Sequence, residues 1–307
     1  MVKMTSMKKH AFLVIANRNF DQLKVLVNLL DDYRNDIYVL IDKKAVGIRP
    51  KLKVNFSKII LLNEMPIYWG DYSQIQAELA LFKIASKEGY SYYHLLSGLD
   101  LPLVSQDELH TFFDANPNKQ FVTYSAMKSQ QQLRTRLRRH RLTKFYRVSG
   151  LGPIAFLIKG YRLLETECLM VVSKFSSKKH LSFGSNWVTL DDKFVQKIVA
   201  DKNLRRIERT FFRGYLVDEI LIPYELEELG FLDTVYYRDP VHDLENEFQG
   251  NLRYINWWDG NPYVWRQKDF SKLRMAKKKG YMFARKFDKT IDNNIINSVI
   301  KQLINER

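Results

Sequence analysis

Tyr92-Tyr93-His94-Leu95-Leu96-Ser97-Gly98-Leu99-Asp100-Leu101-Pro102-Leu103 is an apolar run that stops at Ser-Gly and then presents one carboxylate before a proline. A short, continuous apolar run bounded by Gly and Pro reads as a strand buried on both faces. The carboxyl end of such a strand is where open α/β sheets gather ligand groups. Turn geometry alone also favours Ser, Gly and Asp there, so Asp100 has two readings, a turn or cap residue and a group in a ligand pocket.

Working outward from this strand, the region 10–125 alternates short apolar strands with amphipathic helices. Strands are expected over 10–16, 37–42, 59–62 and 92–96, and helices over 20–33, 74–88 and 106–116, the last begun by Ser105. Leu23, Val25, Leu26, Leu29 and Leu30 give the first of these helices its apolar face. Strand and helix alternating in this way argue for an α/β fold, a central mostly parallel sheet flanked by helices.

That rhythm breaks between 125 and 179. Arg134, Arg136, Arg138, Arg139, Arg141, Lys144 and Arg147 fall in a segment with no acidic residue, and 151–164 is then mostly apolar, with only Lys159 and Arg162 charged. A basic segment leading into an apolar one suits attachment to an anionic membrane surface. A basic helix lying over the protein body, followed by a core helix, accounts for the same pattern, and both readings stand. The apolar stretch is too short and too interrupted to span a bilayer. From 181 onward compact structure returns, with a strand expected over 183–190 and helices over 191–201, 218–229 and 293–307.

The whole chain has 307 residues, 46% of them hydrophobic, enough for one large core and incompatible with a disordered class. A single cysteine, Cys168, excludes an internal disulfide and fits a reducing compartment. No apolar segment of the signal-peptide kind precedes the first strand, so the expected location is cytoplasmic, peripheral at the inner face of the membrane. A net charge of +15 favours an anionic partner: a nucleotide-sugar diphosphate, a lipid headgroup or a nucleic acid. No RNP, zinc-finger or helix-turn-helix pattern supports the nucleic-acid class.

The opening strand has companions further along: Gly184-Ser185-Asn186-Trp187, Asp218-Glu219, Leu252-Arg253-Tyr254-Ile255-Asn256-Trp257 and Phe283-Ala284-Arg285-Lys286-Phe287-Asp288. Together, in this order, and with landmarks at 10–16, 38–44 and 69–73, they resemble the core-2/I-branching β-1,6-N-acetylglucosaminyltransferase family, glycosyltransferase family 14, in a bacterial-type member. The resemblance runs from about residue 8 to about residue 288. It implies a GT-A type nucleotide-sugar-binding fold in one fused catalytic domain. Residues 1–125 would form the nucleotide-sugar-binding half, 126–180 a basic and apolar insertion for acceptor or membrane contact, and 181–307 the catalytic and acceptor-binding half, with a diphosphate-binding C-terminal segment.

The implied activity is inverting and metal-independent: transfer of N-acetylglucosamine from a UDP-sugar to a hydroxyl of a glycan acceptor, free or lipid-linked, in bacterial surface or extracellular polysaccharide synthesis. The family also includes enzymes using UDP-xylose, which is the alternative donor. A binding protein without catalysis is the alternative of another class. Sugar transfer needs a base for the acceptor hydroxyl and positive charge for the departing diphosphate. Glu219 stands where the family's Pro-Asp-Glu motif places its catalytic base, although Val217 replaces the proline; an acidic first-turn residue at a helix dipole is the plainer reading. No Asp-x-Asp triplet occurs in the chain, so neither a metal nor another cofactor is expected.

Arg253 and Lys286 match the two basic residues that the family uses instead, and Arg285 stands where some relatives carry asparagine. A guanidinium can bond phosphate oxygens in bidentate fashion and a lysine supplies a point charge, although each could equally be an ordinary surface cation in so basic a chain. Asp42, at a strand end, would lie near uracil or ribose, and Asp100 would shape the donor pocket. Ser185, Trp187 and Asp218 would contact substrate. Trp187 and Trp257 could stack on a sugar ring or sit in the core, with the core favoured for Trp257.

Overall fold

The computed structural model describes residues 9–146, 152–173, 180–260 and 262–305. Its centre is a five-stranded sheet ordered β3-β2-β1-β4-β6, formed by β1 (His10–Ala16), β2 (Asn35–Ile41), β3 (Lys58–Leu61), β4 (Tyr92–Ser97) and β6 (Thr189–Asp191). The first four are parallel and β6 runs antiparallel to β4. The mostly parallel α/β sheet expected from the strand and helix alternation is therefore present.

Side-chain alternation along β1 and β2 builds a core on each face. Ala11, Leu13, Tyr38 and Leu40 pack toward α2 (Ser73–Ala85), α6 (Asp192–Ile198), α7 (Asp201–Phe211) and α8 (Asp218–Glu228). Phe12, Val14, Ile37 and Val39 pack toward α1 (Phe20–Leu30) and α3 (Gln106–Ala115). Ser105 opens α3 as anticipated: its hydroxyl accepts from the Glu108 amide and Glu108 returns the bond to the Ser105 amide.

A second sheet, β5-β8-β7, joins Leu101–Pro102 to the parallel pair Phe283–Arg285 and Arg253–Ile255. It carries a third core with α9 (Phe270–Lys278) and α10 (Asn293–Asn305), centred on the fully buried Trp265.

Two expectations need correction. The strand over 183–190 shortens to β6, because the backbone at its start is bonded elsewhere: Phe183 carbonyl accepts from Ser125 and Gly184 donates to Glu219, and the run joins β4 only from Val188, whose carbonyl accepts from Leu95. The helix over 191–201 ends at Ile198, and a separate helix, α7, follows. In the middle region α4 (Gln130–Arg136) precedes a long α5 (Pro153–Ser173), which extends well past the apolar stretch.

Chain order fixes where a ligand can enter. From β1 the sheet grows through β2 to β3 on one side, and β4 then pairs with the other side of β1. The connections leaving β1 and β4 diverge, which opens a crevice at their carboxyl ends.

Candidate functional site

A cleft of about 240 Å³ occupies that crevice. Asn17 and Arg18 follow β1, Asp42 follows β2, and Ser97 and Leu99 sit at the end of β4; Trp187, Arg285 and Lys286 face them. Four sequence motifs from distant parts of the chain thus converge on one opening.

Asp100 lies fully buried beneath the cleft. One oxygen accepts from the Ser97 amide at 2.9 Å and the other from Arg285 Nη1 at 2.8 Å. Burial pushes its pKa up, opposed by the Arg285 charge. Arg285, anchored from below in this way, lays its guanidinium over the Trp187 ring at 4.5 Å. The two readings of Asp100 merge: it closes the turn after β4 and orients a cleft cation.

The backbone carrying Arg285 and Lys286 is pinned on both sides. Trp265 donates its indole N–H to Arg285 carbonyl and its amide to Lys286 carbonyl, each at 2.9 Å, while the Phe287 amide donates to Leu99 carbonyl. Asp288 accepts from Asn19 at 2.7 Å and from Thr290, and Arg18 lies 3.5 Å from its other oxygen. This network ties the loop after β1 to the loop bearing Lys286. Asp42 is mostly buried at the cleft wall, where its carboxylate accepts from the Ile67 and Lys44 amides and pairs with Lys44 Nζ at 2.7 Å.

Arg253 does not reach the cleft. It is fully buried, donating to Thr189 Oγ1 at 2.8 Å, to Val188 carbonyl at 2.7 Å, to Leu95 carbonyl at 3.3 Å and to Asn251 carbonyl. Burial lowers its pKa to about 9, partly offset by Asp100. Thr189 is in turn bonded to His94, so Arg253 belongs to a polar seam joining the two sheets. Its expected place beside a diphosphate is not met in this geometry. Trp257 also departs from expectation, being half-exposed, while Trp265 is the core tryptophan.

Glu219 and Asp218 open α8. Pro223 stands four residues after Glu219 and has no N–H, so the Glu219 carbonyl lacks its helical donor. The Gly184 amide fills that vacancy at 2.9 Å. Gly184 can approach so closely only without a side chain, since a Cβ there would come within 1.6 Å of Thr123 carbonyl oxygen. The Gly-Ser-Asn-Trp segment is thereby locked to the helix that starts with the Asp-Glu pair. Ser185 stays half-buried, its hydroxyl accepting from the Trp187 amide. Asn186 donates to the buried Glu78 at 2.9 Å.

The Glu219 side chain is 32% exposed, and its Oε2 accepts from Arg136 Nη1 at 2.7 Å. Asp218 faces inward and accepts from Gln74 at 3.2 Å, and Gln74 itself lines the cleft. Burial and the neighbouring Glu219 charge push Asp218 up to about 7, and burial likewise raises Glu78. Gln74, Glu78, Arg18 and the pairing partner of Glu219 were not legible as site residues. Arg136 was visible only as one cation in a run without acids.

Because the folded pKa of Asp218 is raised, folding favours its protonated form; the cost of ionising it is absent below the unfolded value near 3.8 and grows as pH rises toward 7. Asp218→Asn removes that cost. The difference in unfolding free energy between variant and wild type should therefore increase from pH 4 to a plateau above about pH 7, read by urea melts across that range. A difference that stays flat with pH would remove Asp218 from the buried, charge-repelled environment described here.

At 23% identity over 310 residues, covering 93% of this chain and 32% of the relative, the chain is similar to Xylosyltransferase oxt of Drosophila melanogaster. Xylosyltransferase sqv-6 of Caenorhabditis elegans is 23% identical over 266 residues, 77% of this chain and 28% of that protein. The chain thus spans about a third of the length of these curated relatives. Mouse xyloside xylosyltransferase 1 in its apo form superposes with a TM-score of 0.35 at 10% identity, over 90% of this chain and 96% of that one. The family profile described as Core-2/I-Branching enzyme matches residues 10–277, from β1 through nearly all of α9. With its motifs converging on the switch-point cleft and the profile covering most of its length, the chain belongs to the core-2/I-branching enzyme family, glycosyltransferase family 14.

Proposed function

We propose that this chain is an inverting, metal-independent glycosyltransferase that moves N-acetylglucosamine from UDP-N-acetylglucosamine to a hydroxyl of a glycan acceptor in bacterial surface or extracellular polysaccharide synthesis. The observation that carries the reading is the convergence of Lys286, Arg285 and Asp42 on one cleft, with Gln74 linking that cleft to the Asp218-Glu219 helix start. In the reaction, Glu219 takes the proton of the acceptor hydroxyl as its oxygen attacks the anomeric carbon. The bond to the diphosphate oxygen breaks on the opposite face, and UDP leaves with the electron pair. Lys286 and Arg285 supply positive charge where the leaving group gains negative charge, and Asp42 accepts from the nucleoside. Arg136 orients Glu219, and Trp187 walls the donor side beneath Arg285.

A second reading, UDP-xylose as donor, is favoured by the similarity to two xylosyltransferases. One panel separates the two. Thermal shift with UDP-N-acetylglucosamine, UDP-xylose and UDP, with and without EDTA, reads binding as stabilisation, about 2.7 kcal/mol at a hundredfold excess over Kd. Mass spectrometry of glycan acceptors then reads transfer. The expected result is a shift and transfer with UDP-N-acetylglucosamine, unchanged by EDTA. Response to UDP-xylose alone selects the second reading, loss of activity in EDTA with recovery in manganese removes metal independence, and no response to any UDP-sugar defeats both donors.

A further inference from the structure

α5 is amphipathic the wrong way round for a helix on a protein body. Its inward side carries the polar anchors: Glu165 accepts from Tyr146, from Tyr161 at 2.8 Å and from the Arg141 amide at 3.2 Å, and Arg162 donates to Tyr146 carbonyl. Its outward side carries Phe156, Leu157, Leu163, Leu164 and Val171, between 56% and 77% exposed, on a stripe interrupted by one acid, Glu167. Leu157, Leu164 and Val171 repeat every seven residues, so they stay on one face along the helix. Among the described residues nothing covers that face, and an apolar stripe of this extent marks an interaction surface.

The charge beside it says what covers it. The Arg141 amide is held by Glu165, which places the preceding loop along the middle of α5. In that loop Arg139, Arg141 and Lys144 are exposed together with Leu142 and Phe145, and Lys159 is exposed on the helix itself. Apolar side chains rimmed by cations match the acyl and headgroup layers of an anionic bilayer. A second copy would bring the same cations face to face, in a chain already at +15. No described helix is long and apolar enough to cross a membrane, so a membrane contact of α5 would be interfacial.

We propose that α5 and the 139–145 loop form a docking surface that seats the protein on anionic lipid. The surface is joined to the site by α4, whose Gln131 donates to Met170 carbonyl on α5 while its Arg136 holds Glu219. Docking would thus bring α4, and the Glu219 it holds, near the bilayer, where an acceptor carried on a lipid would be presented. The lipid contact stands independently of the sugar chemistry.

Flotation of the full chain with phosphatidylcholine vesicles, with and without phosphatidylglycerol, tests it. The protein should float only with the anionic vesicles and be released by high salt. Arg139→Ser, Arg141→Ser and Lys144→Ser together should lower the partition coefficient about a hundredfold. Leu157→Ser with Leu164→Ser should lower it further, with circular dichroism unchanged. Both sets alter exposed side chains outside the cleft, and the basic set keeps the test decisive if the apolar set fails to fold. Absence of binding, equal binding to neutral and anionic vesicles, or unchanged binding in the basic variant would overturn the proposal. So would a wild-type dimer that the apolar variant splits without any vesicle binding, which would give the face to a second copy.

Discussion

Glu219→Gln lowers the sugar-transfer rate by about 10²- to 10⁴-fold while leaving UDP affinity and unfolding free energy near wild type. The amide occupies the volume of the carboxylate and still offers an oxygen to Arg136 Nη1, so the contact at the start of α8 survives. What disappears is the ability to take the acceptor proton. The backbone lock is untouched, because Gly184 bonds the carbonyl of residue 219 and not its side chain. Initial rates under saturating donor, together with calorimetric titration of UDP, separate the two effects. A variant that transfers sugar at the wild-type rate would remove Glu219 from the role of base and leave it as an acidic first-turn residue paired with Arg136.

The two basic positions expected at the diphosphate should behave as different kinds of residue. Lys286→Ala should weaken UDP binding by one to two powers of ten, since charge-assisted bonds contribute about 1.5–3 kcal/mol, with a small effect on folding, whereas Arg285→Ala should weaken UDP binding and also cost stability, because it leaves the buried Asp100 carboxylate without its ion-pair partner. Arg253→Met should instead destabilise the fold by about 3–5 kcal/mol, because it strips donors from buried oxygens and leaves Asp100 with one cation fewer. Urea unfolding and UDP titration on the same preparations decide this. Should Arg253→Lys fold with wild-type stability yet lose UDP binding, the diphosphate contact would return to Arg253 and the seam role would fall.

Position in the strand pair explains that division. β7 and β8 are parallel, with Arg253 level with Phe283 and Ile255 level with Arg285. Their carboxyl ends open on the cleft, so Arg285 is placed at the mouth and Arg253 two residues deeper, its guanidinium 5.1 Å from the Phe283 ring. Both residues sit in basic, aromatic-rich motifs of similar length, and nothing local distinguishes them. The register between two strands some thirty residues apart does.

Local rules made much of the architecture readable. The apolar run of β4, the spacing of α1 and the Ser105 start of α3 each depend on neighbours within a few residues, where hydrophobic period and capping chemistry act directly. The family was legible too, since short motifs in fixed order survive as sequence. The extended run from Phe183 misled, because its first hydrogen bonds go to Ser125 and Glu219 and it joins β4 only from Val188 onward.

The amino-acid order alone was enough for the strand and helix alternation, for the Asp218-Glu219 and Arg285-Lys286 positions and for the basic run before an apolar one. These are properties of residue type and spacing. Folding alone assigned Asp100 to orient Arg285, Arg136 to hold Glu219, Arg253 to the interior and the apolar stripe of α5 to solvent. Each of those depends on which side chain meets which across at least twenty residues of chain, and that is set by strand register, helix rotation and the burial of charge, none of which a local pattern encodes.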